Sequence, residues 1–209
     1  MSAPARLLII GAGGHGKVVA ETALASGRWK EVAFLDGRYP QLSSAIRWPV
    51  VGSDAEPAGF LGDYPEVFVA LGDNQIRVSR ILALLELGFH VPALVHPAAW
   101  VSPSAILGAG SVVMAGGIIN ACADLGRGCI VNTGATVDHD CALADGVHIS
   151  PGAHVGGASA IGERSWVGVG AAIRHSIRIG ADVMIGAGAA VVGDLPSGVT
   201  AIGVPARIT

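Results

Sequence analysis

From Val101 to Val191 every sixth residue is Val, Leu or Ile, sixteen positions without a slip. If about a third of positions carried such residues, chance would give this run with a probability on the order of 10⁻⁸. Four places after the aliphatic residue stands a small one, as at Ser111, Ala123, Cys129, Ala135, Cys141 and Ser159. One large and one small position per six residues predicts two inward side chains filling a narrow interior. The position just after the aliphatic residue is Gly seven times, with Asn120, Asn132 and Asp138 among the others. These residue types tolerate positive φ, so the spacing predicts the sharp turn of each hexad there.

Residues 6 to 95 follow a different pattern. "RLLIIGAGGHGKVVAETAL" reads as an apolar strand, a glycine turn and a helix; "EVAFLD" and "EVFVALGD" read as strands, and "NQIRVSRILALLELGF" as a second helix. This is a small βαβ domain with a parallel sheet, which divides the chain into 1–95 and 96–209. Gly11, Gly13 and Gly16 satisfy G-x-G-x-x-G, and Asp36 ends the next strand twenty residues later. Such glycines let a phosphate approach backbone N–H groups at a helix N-terminus, while the carboxylate accepts hydrogen bonds from a ribose or base. About ninety residues are too few for two mononucleotide-binding halves, which favours a half-site for one nucleotide over NAD. A tight strand-to-helix turn with a purely structural purpose is the plain alternative.

Composition narrows the field. Only 14% of residues are charged and 5% aromatic, while 51% are hydrophobic and Gly numbers 31, a mixture suited to repetitive β structure. The uncharged run from Ser102 to Ala123 has the length of a membrane span. Its several Gly and Ser, its Asn and its internal period argue against one. A net charge of −3 without a long basic run leaves no electrostatic footprint for nucleic acid or an anionic membrane surface. Three cysteines, Cys122, Cys129 and Cys141, with no CxxC pair and no secretory leader, point to a reducing compartment, the cytoplasm.

The pattern [LIV]-[G/N/D]-x-x-[small]-x resembles the hexapeptide-repeat acyltransferases, whose fold is a left-handed parallel β-helix with three hexads per turn. The resemblance implies about five coils of eighteen residues, spaced at the ordinary strand distance of roughly 4.8 Å. The tail "VVGDLPSGVTAIGVPAR" looks like the segment that closes the last coil in these enzymes. A G-x-G-G-H-G turn ahead of such repeats resembles one subfamily in particular, the sialic acid O-acetyltransferase and nucleotide-sugar N-acetyltransferase group, which includes enzymes acting on UDP-4-amino-sugars and GDP-perosamine. The fold implied is mixed: a small Rossmann-like α/β domain followed by the β-helix.

That resemblance also implies an activity and its residues. The chain would use acetyl-CoA as co-substrate to acetylate the amine of a nucleotide-linked amino sugar in bacterial glycan biosynthesis. Gly13, Gly14 and His15, with Asp36 and Gly37, would hold the nucleotide. Gly72, Asn74 and Arg77 of "ALGDNQIR" would lie near the phosphates or sugar, although Arg77 also has a reading as a solvated helix residue. His139 in "VDHDC" would be the general base, with Asp140 at the acidic position that raises its basicity. Relatives often carry Glu there, so Asp140 is one methylene short, and Asp138 is the other candidate. His148, Val169 and Ala187 fall at acetyl-CoA positions, the latter two eighteen residues apart at one corner.

Read through the repeat, His139, His148 and His154 face different directions. They do not converge as the three or four ligands a metal needs, so no metal is expected. His154 and His175 read as surface or interface residues. Because His139 and His148 do not share a corner, a groove between neighbouring subunits is the simplest way to join them, which predicts a homotrimer with three sites. Direct transfer needs no acylated cysteine. The rival readings are O-acetylation of a sialic acid hydroxyl, a non-catalytic trimeric nucleotide-binding module, and, more weakly, an NAD-dependent enzyme.

Overall fold

The computed structural model describes residues 5–209. They form two compact units that divide between Leu94 and Val95. In the first, strand β1 (Arg6–Ile10) runs into helix α1 (Gly14–Ala25), followed by β2 (Glu31–Leu35), a short hairpin of β3 (Ser44–Ala45) and β4 (Trp48–Gly52), β5 (Val67–Val69) and helix α2 (Asn74–Glu86). The sheet order is β3-β4-β2-β1-β5, parallel except for β3 on β4. Leu7, Leu8, Ile9 and Ile10 are all fully buried, as a parallel strand covered on both faces requires. The end of α2 is fixed by a glycine turn: Gly88 lies at φ 90°, its N–H donates to Leu85 O, and the Phe89 N–H reaches back to Leu84 O.

The second unit is a left-handed parallel β-helix. Its strands are two residues long and stack in three ladders, each advancing by eighteen residues per coil. One runs Trp100, Ile118, Thr136, His154, Ala172, Ala190. The next runs Ile106, Asp124, Ala142, Ala160, Arg178. The third runs Val112, Ile130, His148, Trp166, Met184. We refer to these as the first, second and third faces. The inward pair is as the spacing predicts, with Val131 and Ala135, Val137 and Cys141, and Val167 and Ala171 all buried. Thr200–Ile202 adds to the third face, and Arg207–Ile208 returns antiparallel on it, so the last coil does not end on an open edge there.

The turns fall elsewhere than the sequence reading places them. Every sixth residue from Gly110 to Gly188, three places after the aliphatic position rather than one, lies in the left-handed region with φ of 56° to 74°. Six of these are not glycine: Cys122, Asp140, Ala158, Arg164, Ser176 and Asp182. The glycines just after the aliphatic residue serve close approach. A Cβ on Gly162 would lie 2.5 Å from the backbone of Gly180 and Ala181, and one on Gly108 would lie 2.4 Å from the backbone of Gly126. They let successive coils stack at the corners.

Candidate active site

The end of the first unit where the sequence predicts a nucleotide is built by the turn between β1 and α1. Gly11 (φ 97°) and Gly16 are needed by the chain itself: a Cβ on Gly16 would stand 1.9 Å from Gly11 O. Gly13 and Gly14 are exposed, are not in the left-handed region, and have no atom within 4 Å of where a Cβ would be. Nothing in this chain requires glycine at those two places. His15 follows them with its Nε2 buried and without a hydrogen-bond partner among the described residues. Burial, and then the charge of Arg77, push its pKa down to about 4, so its imidazole is neutral at physiological pH.

Asp36 stands where the motif predicts, but its carboxylate is already committed. Oδ2 accepts from the Ala12 N–H at 2.8 Å and from Arg38 Nη2 at 2.9 Å, while Oδ1 accepts from Arg38 N and Nε. The Arg38 guanidinium, foremost, holds this carboxyl well below the usual range. Arg38, absent from the motif, is thus the more exposed partner of the pair. Gly37 lies alongside, with Asp54 near its Cα, and Gly72 is open.

One reading of Arg77 calls for a correction. Arg77 is not a solvated helix residue; it is fully buried. Its guanidinium donates to Leu71 O, Gly72 O and Asn74 Oδ1 at 3.0, 3.2 and 2.8 Å. Both residues brace the 71–74 loop from within, and the buried charge acts on His15 through the protein rather than by reaching outward.

In the β-helix, His139 sits in the turn between the first and second faces, and its side chain is exposed. Nδ1 meets Asp140 Oδ2 at 2.7 Å. Of the two aspartates, Asp140 is the one whose carboxylate meets the ring. Asp138 Oδ1 instead accepts the His139 backbone N–H and the Asn120 amide, each at 2.8 Å. The hydrogen bond that His139 donates to Asp140, then the charge of Asp138, raises the His139 pKa. With Nδ1–H on the carboxylate, Nε2 is the ring atom that accepts a proton.

His148 is buried on the third face, stacked against Trp166 with ring centroids 4.2 Å apart, and its Nε2 lies 3.3 Å from Asn132 Nδ2. Trp166 in turn donates to Ser150 Oγ at 2.8 Å. Asn132, Ser150 and Trp166 were missed from sequence; their link to His148 is visible only once the eighteen-residue register is applied. Val169 and Ala187 are both exposed at the corner between the third and first faces, tied by the Gly188 N–H donating to Val169 O. His154 lies on the first face, bonded to Thr136 Oγ1. The three histidines are therefore not brought together, and among the described residues no three His, Cys, Asp or Glu side chains are grouped to hold a metal ion. Cys129 and Cys141 are buried, and burial raises the Cys141 thiol pKa.

The PglD N-terminal domain family matches residues 6–82. A UDP-N-acetylbacillosamine N-acetyltransferase of Bacillus subtilis (strain 168) is 40% identical over 110 residues, 51% of this chain; the chain thus spans about half the length, 50%, of that curated relative. The acetyltransferase domain of PglB from Neisseria gonorrhoeae FA1090, solved with acetyl coenzyme A, superposes with a TM-score of 0.92 at 47% identity, covering 99% of this chain and 100% of that one. A variant of perosamine N-acetyltransferase from Caulobacter crescentus, solved with CoA and GDP-perosamine, gives a TM-score of 0.91 at 41% identity over 97% of this chain and 96% of that one. With nearly complete coverage at these identities, the chain belongs to the nucleotide-sugar N-acetyltransferase subfamily of the hexapeptide-repeat acyltransferases.

Proposed function

We propose that this protein transfers the acetyl group of acetyl-CoA to the amine of a nucleotide-linked amino sugar, by direct attack with His139 as general base. The observation that carries this is the His139–Asp140 contact of 2.7 Å on an exposed turn. As the amine nitrogen bonds to the thioester carbonyl carbon, Nε2 takes one N–H proton, and Asp140 stabilises the imidazolium. The tetrahedral oxyanion collapses, the C–S bond breaks, and the proton ends on the departing CoA thiolate or in solvent. Cys129 and Cys141 are too enclosed to carry an acyl group, and the exposed Cys122 is given no part in the single displacement proposed here.

Gly13 and Gly14, glycines that the chain does not itself require, support a nucleotide seated over the β1–α1 turn with neutral His15 beside it. Of the two solved relatives described above, one holds acetyl coenzyme A and the other CoA and GDP-perosamine. His148 with Val169 and Ala187 is the part of the β-helix we assign to acetyl-CoA. A homotrimer accounts for the large apolar side chains Trp100, Ile106 and Ile118, which are exposed on two adjacent faces of the first coils. No described helix is long and apolar enough to cross a membrane, and we place the protein in the cytoplasm, where acetyl-CoA and sugar nucleotides are made.

The test is thiol release from acetyl-CoA with UDP- and GDP-linked amino sugars and with sialic acid as acceptors. His139→Ala should lower kcat by roughly 10² to 10⁴ while leaving the fold intact. Wild-type kcat in that variant would refute the base assignment, and turnover with sialic acid alone would favour the O-acetyl reading.

A further inference from the structure

The His139 ring rests on the next coil. A Cβ built on Gly157 would lie 2.8 Å from both Cε1 and Nε2 of His139 and 3.2 Å from Cδ2, and these are the three nearest atoms to it. No real Cβ approaches a ring so closely, so the imidazole occupies the space a side chain at 157 would take. We propose that Gly157 is a positioning residue for the acetyl transfer, its bare Cα seating the imidazole of His139 in the place where it meets Asp140. The inference rests on the assignment of His139 as the base.

The fold supplies no other reason for glycine there. Gly157 is not among the residues in the left-handed region, unlike its neighbour Ala158 at φ 56°. It also differs from Gly156, whose missing Cβ makes room for the backbone of Ile173, Arg174 and His175. Of the other positions in register with 157 at this corner, Pro103, Ala121, His139 and His175 carry side chains, and Gly193 has nothing within 4 Å of where a Cβ would be. Their main chains form one uninterrupted series: Asp140 N–H to Ala121 O, Ala158 N–H to His139 O and Ser176 N–H to Gly157 O. The corner thus tolerates a Cβ in every coil described at this place except the one directly after the base.

The coil before the base completes the grip. Asn120 Nδ2 donates to Asp138 Oδ1, the same oxygen that accepts the His139 N–H. Asn120 and Asp138 fix the main chain of His139, Asp140 fixes Nδ1, and Gly157 sets how closely the ring approaches the following coil. Since the ring is exposed at the end of two rotatable bonds, a methyl at 157 would move the ring and leave the backbone in place. A shift of about 1 Å in a general base is enough to lower turnover roughly 10²-fold.

The experiment is Gly157→Ala, with Gly193→Ala as control, since a Cβ on Gly193 meets nothing within 4 Å and its backbone is not in the left-handed region. In Gly157→Ala, kcat should fall roughly 10²-fold with KM for both substrates within about twofold. The His139 ring-proton resonance should titrate at lower pH than in the wild type, because the displaced ring loses its bond to Asp140. Gly193→Ala should match the wild type in both. A Gly157→Ala protein in which either turnover or the His139 titration is unchanged would overturn the proposal. If Gly157→Ala does not fold, the double variant His139→Ala/Gly157→Ala decides: recovery of the His139→Ala melting temperature supports the ring contact, and failure to fold places the obstruction elsewhere and overturns it. The titration needs no substrate, so a wild-type protein that releases no CoA with any acceptor would reject the acetyltransfer reading separately.

Discussion

Asp140 combines two demands that few residues meet. Its backbone lies at φ 57°, a region in which a short polar side chain is tolerated far better than a branched or long one. From that position its carboxylate reaches His139 Nδ1 at 2.7 Å, so the methylene by which it falls short of Glu is not missed. Asp140→Asn keeps size and turn propensity and removes the charge. The bond to Asp140 is the first cause of the raised His139 pKa, and removing it lowers that pKa. Since the base acts unprotonated, the acidic limb of the kcat/KM profile should move to lower pH, while the weaker base reduces the plateau by about tenfold. An acidic limb that stays in place would show that the Asp140 charge does not act on the catalytic proton. Asp138 is engaged by Asn120 and by the His139 main chain and its charge is the second cause of the raised His139 pKa, so Asp138→Asn should move the midpoint to lower pH as well, by less than Asp140→Asn, and disturb the positioning of the base.

At the scale of the repeating element, two kinds of glycine must be separated, and they predict different penalties. Gly162 has its Cβ site 2.5 Å from the next coil's backbone, which cannot yield without parting the ladders. Gly170 sits at φ 65° with nothing within 4 Å. Gly162→Ala should therefore cost about 3 kcal/mol or more in denaturant unfolding, and Gly170→Ala only about 1–2 kcal/mol of backbone strain. Equal costs at the two sites would refute the division. It also shows what could be read from sequence. The six-residue period and the inward pair were legible because burial writes itself into residue size. The turn position was not, because glycine enriched by close stacking looks like glycine enriched by positive φ, and the true left-handed positions hold Cys122, Arg164 and Asp182 as readily as Gly. The β3–β4 hairpin escaped for a similar reason: Ile46 takes φ 55° and Pro49 sits within the strand, against the usual signals. In the site, His139 and Asp140 are sequence neighbours and could be paired by eye. Arg38 on Asp36, buried Arg77, and Asn132 and Trp166 on His148 depend on folding that no short motif records.

At the scale of the whole molecule, the positions of His139 and His148 bear on assembly. His139 occupies the corner between the first and second faces, and His148 lies on the third face, which that corner does not adjoin. In one β-helix the two are on opposite sides of the packed interior formed by residues such as Val137, Cys141 and Ile149. Under the proposed trimer, a three-fold axis carries the third face of one subunit toward the His139 corner of its neighbour, a heterologous contact that closes into a ring with three equivalent sites. Mixing two inactive proteins tests this directly. His139→Ala and His148→Ala subunits, unfolded together in equal amounts and refolded, should assemble at random. A shared site is intact when its His139 comes from a His148→Ala subunit and its His148 from a His139→Ala subunit, which holds for about a quarter of sites in a random ring. CoA release should then return to roughly 25% of that of refolded wild-type protein, whereas either variant refolded alone should stay inactive. If both residues served a site within one subunit, every site in the mixture would lack one of them. No mixing ratio would then restore activity, and the assignment of acetyl-CoA to the neighbour's third face would fall.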